Sequence, residues 1–208
     1  MMKTLRDDKG LTMAELLVVA TLMLIVIAAV YALMGAVTKL ADDSIARADA
    51  TDASQTFIDR VGRELREAQE ATENAGVFSS VGPRNATFYS DLNGDGIPER
   101  ITYYVTGQSV YRTQASTSNT VEPFDTWGTD SAPQLVLKTI SPSWSGAIFS
   151  YFTPDATTAL TTPSTSIPSI SRVDVMVVAS AVSGSTTVVS TSTVSARIRS
   201  VQNKVGGN

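Results

Sequence analysis

The sequence predicts an α+β protein: a long N-terminal helix, its first half crossing a membrane, packed on an antiparallel β-sheet. Three observations predict it. An apolar run fills Leu11–Val37, no proline occurs before Pro83, and beyond Gly76 the chain becomes a Ser-, Thr-, Gly- and Pro-rich alternation of short β-type runs. At 208 residues the chain has room for one domain and one anchor. The divisions read from composition are a charged segment at 1–10, a membrane half of the helix at 11–37, an exported half at 38–75, and a β domain at 76–208.

Residues 1–10, MMKTLRDDKG, lack the apolar stretch and small-residue cleavage site of a standard secretory signal. The 27 residues Leu11–Val37 form a helix of about 40 Å at ~1.5 Å per residue. That exceeds the roughly 30 Å hydrocarbon core of a bilayer. Lys3, Arg6 and Lys9 place the N-terminal side in the cytoplasm. The expected topology is therefore a single membrane pass with the N-terminus in the cytoplasm.

The helical pattern continues to about Thr72. Phe57, Val61, Leu65 and Ala68 make one apolar stripe. Asp59–Arg63, Arg60–Glu64, Arg63–Glu67 and Arg66–Glu70 stand four apart, as suits a solvated opposite face. Asn74 and Gly76 are stop signals. Strands are expected at Ala86–Ser90, Arg100–Val105, Gln108–Arg112, Gln134–Ile140, Ala147–Phe152, Arg172–Ala179 and Thr186–Arg199, the last two joined by a turn at Ser183–Gly184. Segments 116–133 and 154–170 read as loops.

Composition removes several classes of chemistry. With no cysteine and no histidine there is no disulfide, no thiolate nucleophile, no Cys/His zinc site and no imidazole base. Together with the lack of a glycine-rich phosphate loop, this argues against an enzyme. The net charge of −4 includes three basic and two acidic groups within residues 1–10. Without them the chain keeps 13 basic groups (16 less 3) and 18 acidic ones (20 less 2), an acidic body that argues against nucleic acid as a partner. Arg60, Arg63 and Arg66 align as a ridge, but their acidic neighbours make it a solvated face. Tyr103, Tyr104, Tyr111, Trp127 and Trp144 read as core or rim aromatics.

The segment Lys9-Gly10-Leu11-Thr12-Met13-Ala14-Glu15, opening an apolar helix, resembles the processing site of type IV prepilins and pseudopilins. The resemblance covers about the first 40 residues. It implies insertion in the cytoplasmic (inner) membrane, cleavage between Gly10 and Leu11 by a prepilin peptidase, and N-methylation of Leu11. It also places Glu15 at the family's acidic fifth mature position. Leu11 departs mildly from the commoner Phe. The residues point the same way alone: Gly10 offers a peptidase no obstructing side chain, and a carboxylate in a membrane segment wants a cationic partner. A neighbouring subunit's Leu11 amine can be that partner. Thr12-x-x-Glu15 also spells a capping box, the pattern of a plain signal anchor. That reading leaves the charged leader and Gly10 without a role.

Asp91-Leu92-Asn93-Gly94-Asp95-Gly96-Ile97-Pro98-Glu99 matches the first half of a calcium loop, with Asp91, Asn93, Asp95 and Glu99 as ligands. The twelfth position, where a bidentate Glu is expected, is Thr102. The same Asn-Gly and Asp-Gly steps suit a tight hairpin turn, so turn and calcium loop both stand. The phrase DLNGDGIPERITYYV, followed by Ser109-Val110-Tyr111-Arg112, resembles the first β segment of larger minor pilins. The resemblance implies a minor structural subunit of a type IV pilus or type II secretion pseudopilus. Its partners would be other pilin or pseudopilin subunits, an inner-membrane assembly platform, and membrane lipid before assembly. The alternative is a membrane-anchored adhesin or DNA-capturing module at a pilus tip.

Overall fold

The computed structural model describes residues 12–73, 76–161, 167–184 and 186–198. An α+β fold results, in two compact units, one ending at Ser44 and one beginning at Ile45. Helix α1, Met13–Arg66, belongs to both. In the first unit residues 12–42 are exposed on every side, although nearly all are apolar as far as Val37. A helix apolar all round calls for a lipid or protein environment. It is long and apolar enough to cross a membrane.

In the second unit α1 acquires one buried face: Ala46, Ala50, Ser54, Phe57, Ile58, Val61 and Leu65 recur every three or four residues. They pack against antiparallel strands β1 (Phe78–Gly82), β2 (Asn85–Ser90), β3 (Glu99–Thr106), β4 (Ser109–Ser116) and β5 (Gln134–Leu137), ordered 1-2-3-4-5, and against β6 (Phe149–Phe152), β7 (Arg172–Ser183) and β8 (Thr186–Arg197), ordered 6-7-8. The expected single sheet is thus two. They meet where Ile140 bridges Ala179 and where the Pro83 carbonyl accepts the Ile148 and Phe149 amides.

Period-two burial places the core. On β3, Ile101 and Tyr103 point inward while Arg100, Thr102 and Tyr104 are half-exposed. Phe57 meets Tyr103 edge to face at 6.1 Å, and Phe78 meets Tyr151 at 5.7 Å. Burying Phe57 contributes about 1.5–3 kcal/mol.

Two expectations need correction. The helix stops at Arg66 rather than Thr72, because Ala68 bridges to Ser90 and the Gln69 amide donates to the Tyr89 carbonyl at 2.9 Å. The Glu67 amide makes the last helical bond, to the Arg63 carbonyl at 3.2 Å, and tertiary pairing then draws the chain away before Glu70. Strand β1, FSSVG, lies outside the expected strands because it is too short and Ser-rich to show an alternation. The turn at Ser183–Gly184 forms as expected, with Ser183 opposite Thr186 and Gly184 at φ 55°.

Candidate functional site

Gly10 and Leu11 lie outside the described residues; the geometry begins at Thr12. The Thr12 amide donates to Glu15 Oε2 at 2.9 Å and its hydroxyl to the same oxygen at 3.1 Å. The Glu15 amide donates to Thr12 Oγ1 at 3.2 Å. This is a reciprocal capping box, satisfying two amides that a helix start leaves without intrahelical partners. Among the described residues nothing engages Glu15 Oε1. The exposed carboxylate at the mouth of α1 can therefore cap its own helix and still accept a cation.

The 91–98 loop closes the β2–β3 hairpin after the Ser90–Glu99 pair. Asp91 Oδ1 accepts the Gly94 amide at 2.7 Å, and Oδ2 accepts the Gly96 amide at 2.8 Å. Asn93 Oδ1 accepts the Asp95 amide, Asp95 Oδ1 accepts the Ile97 amide, and Asn93 Nδ2 donates to Asp95 Oδ2. Gly94 and Gly96 sit at φ 77° and 83°, which is why this turn needs glycine twice. Glu99 is buried and accepts the Leu92 amide at 3.0 Å. Thr102, at the twelfth position, pairs with Thr87 across the sheet. The geometry is that of a self-closed turn, and a calcium ion would have to share these oxygens with the loop's own amides. Among the described residues no three acidic groups gather as a cation site.

Sequence reasoning missed a third site. Glu64 is 4% exposed, not on a solvated face. Tyr103 Oη donates to its Oε2 at 2.6 Å, and Arg112 Nε lies 3.1 Å from Oε1 and 3.2 Å from Oε2. Arg60, four residues earlier, reaches Oε1 at 3.4 Å, so the expected helical pair forms over a buried triad. Arg112 is itself only 2% exposed. Burial, reinforced by the Glu64 carboxylate, pushes the Tyr103 hydroxyl well above the ordinary phenol range. No local spacing announces this cluster, because its members come from α1, β3 and β4.

An open cleft of about 790 Å³ lies over the cluster, lined among others by Asp59, Arg60, Arg63, Glu64, Glu67 and Arg112. Three cations face three anions there, a balance that favours neither phosphate nor a metal. The aromatics divide as expected of core and rim: Tyr103 is buried, Tyr104 and Tyr111 stack half-exposed at 5.8 Å, and Trp127 stacks on Tyr89 at 4.9 Å.

No family model, curated protein or solved structure matches this chain.

Proposed function

We propose that this chain is a structural subunit of a type IV pilus-like filament, either a pilus or a type II secretion pseudopilus. It enters the inner membrane as a precursor with its N-terminus in the cytoplasm. Prepilin peptidase then cuts it between Gly10 and Leu11. One observation carries the reading: a charged leader ending in Lys9-Gly10 and a carboxylate at Glu15 flank the start of a helix whose apolar residues are exposed on every side.

The mechanism is assembly rather than turnover. Burying apolar surface in lipid or in a filament core releases similar free energy, about 25 cal/mol per Å², so hydrophobicity alone does not drive the transfer. Specificity comes from helix packing and from pairing Glu15 with the Leu11 amine of a neighbouring subunit. The capping box supports this role by holding the Glu15 side chain at the helix mouth with Oε1 open.

Proteomics of sheared surface filaments and of periplasmic filaments from the native host tests the reading. Recovery of this chain together with other subunits carrying the same kind of leader is the expected result. A chain found only in membranes, never in a filament fraction, would overturn it.

A further inference from the structure

Strand β8 is the one long free edge in the described fold. It runs twelve residues, Thr186–Arg197, and pairs with β7 on one side only. The other edge strands are short, five residues for β1 and four each for β5 and β6, and the Tyr151 carbonyl of β6 is taken by the Leu160 amide. Among the described residues no backbone hydrogen bond reaches the outer edge of β8. Natural sheets blunt such edges with charge, proline or a bulge. Thr186–Ala196 contains no charge and no proline, and its ladder with β7 is regular throughout.

The inner face of β8 is explained by α1. Ser190 meets Thr51 at 3.1 Å, Ser192 meets Ser54 at 2.8 Å, and Val194 lies against Gly62, where an added Cβ would come within 3.2 Å. Small residues are needed there for close approach. The outer face has no such explanation: Thr187, Val189, Thr191 and Thr193 are exposed and β-branched, continuing onto exposed Met176 and Val182 of β7.

The order of residues supplies the occupant. About Thr191 the strand is partly palindromic: Ser190 mirrors Ser192 and Val188 mirrors Val194 identically, β-branched Val189 mirrors β-branched Thr193, hydroxylic Thr187 mirrors Ser195, and Thr186 mirrors Ala196. We propose that the free edge of β8 pairs antiparallel with β8 of a second copy of this chain, about a twofold axis through Thr191. In that register Thr191 stands opposite Thr191, Ser190 opposite Ser192 and Val188 opposite Val194, while Val189–Thr193, Thr187–Ser195 and Thr186–Ala196 are unlike pairs without charge conflict. Arg197 falls outside the paired span, so no like charges oppose. The two three-stranded sheets become one of six strands, and the contact closes on itself as an isologous dimer. It is therefore a separate contact from the head-to-tail packing of a filament.

The test uses the full chain in detergent, where the absence of native cysteine makes every thiol an introduced one. Thr191→Cys is expected to give a disulfide-linked dimer on mild oxidation. Opposed Cα atoms in an antiparallel ladder lie about 4.5 or 5.5 Å apart, within the roughly 4.4–6.8 Å that a disulfide spans. Val189→Cys and Thr193→Cys are expected to link to each other when mixed and poorly to themselves. Adding Thr191→Lys to both partners of that mixture sets like charges on the axis and is expected to abolish the link, with β-sheet content unchanged. A Thr191→Cys yield no greater than that of Thr106→Cys at the exposed end of β3 would overturn the pairing. So would a mixed link that survives Thr191→Lys. None of these changes touches Gly10, Leu11 or Glu15, so failure here leaves the filament reading standing.

Discussion

Glu64 and Glu15 are both carboxylates on α1, and their surroundings give them opposite work. Glu64 is buried with Arg112 and Tyr103, so removing it strands a buried guanidinium. Glu64→Ala is expected to cost about 3–5 kcal/mol, the penalty for breaking one side of a buried pair, read from denaturant unfolding. The hydroxyls of Tyr103 and Tyr151 are both held above the ordinary phenol value of 10.0, chiefly by burial. The unfolded chain releases these protons first, so the stability they supply is whole below pH 10 and drains as pH rises past it. An absorbance titration should show both tyrosines ionising only with unfolding, and Tyr103→Phe should flatten the alkaline loss. On the proposed function Glu15→Ala should behave otherwise, leaving leader cleavage intact and easing insertion, since a carboxylate is costly inside a bilayer. Loss of the cap costs about 0.5–2 kcal/mol, little for a helix held by lipid. The ratio of subunit in sheared filaments to subunit in membranes should nevertheless fall, and an equal ratio would leave the capping box as Glu15's whole role.

Among the elements, the 91–98 loop separates two physical accounts of one motif. Asp91 accepts two amides with its two oxygens. Asp91→Ala should cost about 1–3 kcal/mol, two hydrogen bonds of ordinary net worth, with the same loss in chelator and in millimolar calcium. If calcium also binds, the absence of a twelfth-position carboxylate predicts the weak extracellular range, roughly 10⁻⁴–10⁻³ M, measured by titration calorimetry. A mutational loss that appears only with calcium would make the cation, not the turn, what holds the loop. The elements themselves were largely legible. The Phe57–Val61–Leu65 stripe is buried as its helical spacing requires, Ala68 is buried beyond the helix end, and the cores of β2, β3, β7 and β8 lie where alternation placed them. What was not legible is tertiary: Ser90 capturing Ala68, Arg112 capturing Glu64, and the division of one expected sheet into two. These depend on residues far apart in sequence, which no local period encodes.

Taken whole, the chain joins a unit whose helix is apolar and exposed on every side to a unit with an ordinary buried core. Only an apolar partner satisfies the first, and lipid and a filament core are equivalent in that respect. On the proposed function, what commits such a helix to assembly is the new amine that cleavage would create at Leu11. The most direct test is the N-terminal mass of the protein purified from native membranes and filaments. The account predicts a mature chain beginning at Leu11 and carrying one methyl group, with Gly10→Trp accumulating as uncut precursor. An intact Met1, or a mature start at any other residue, would contradict it.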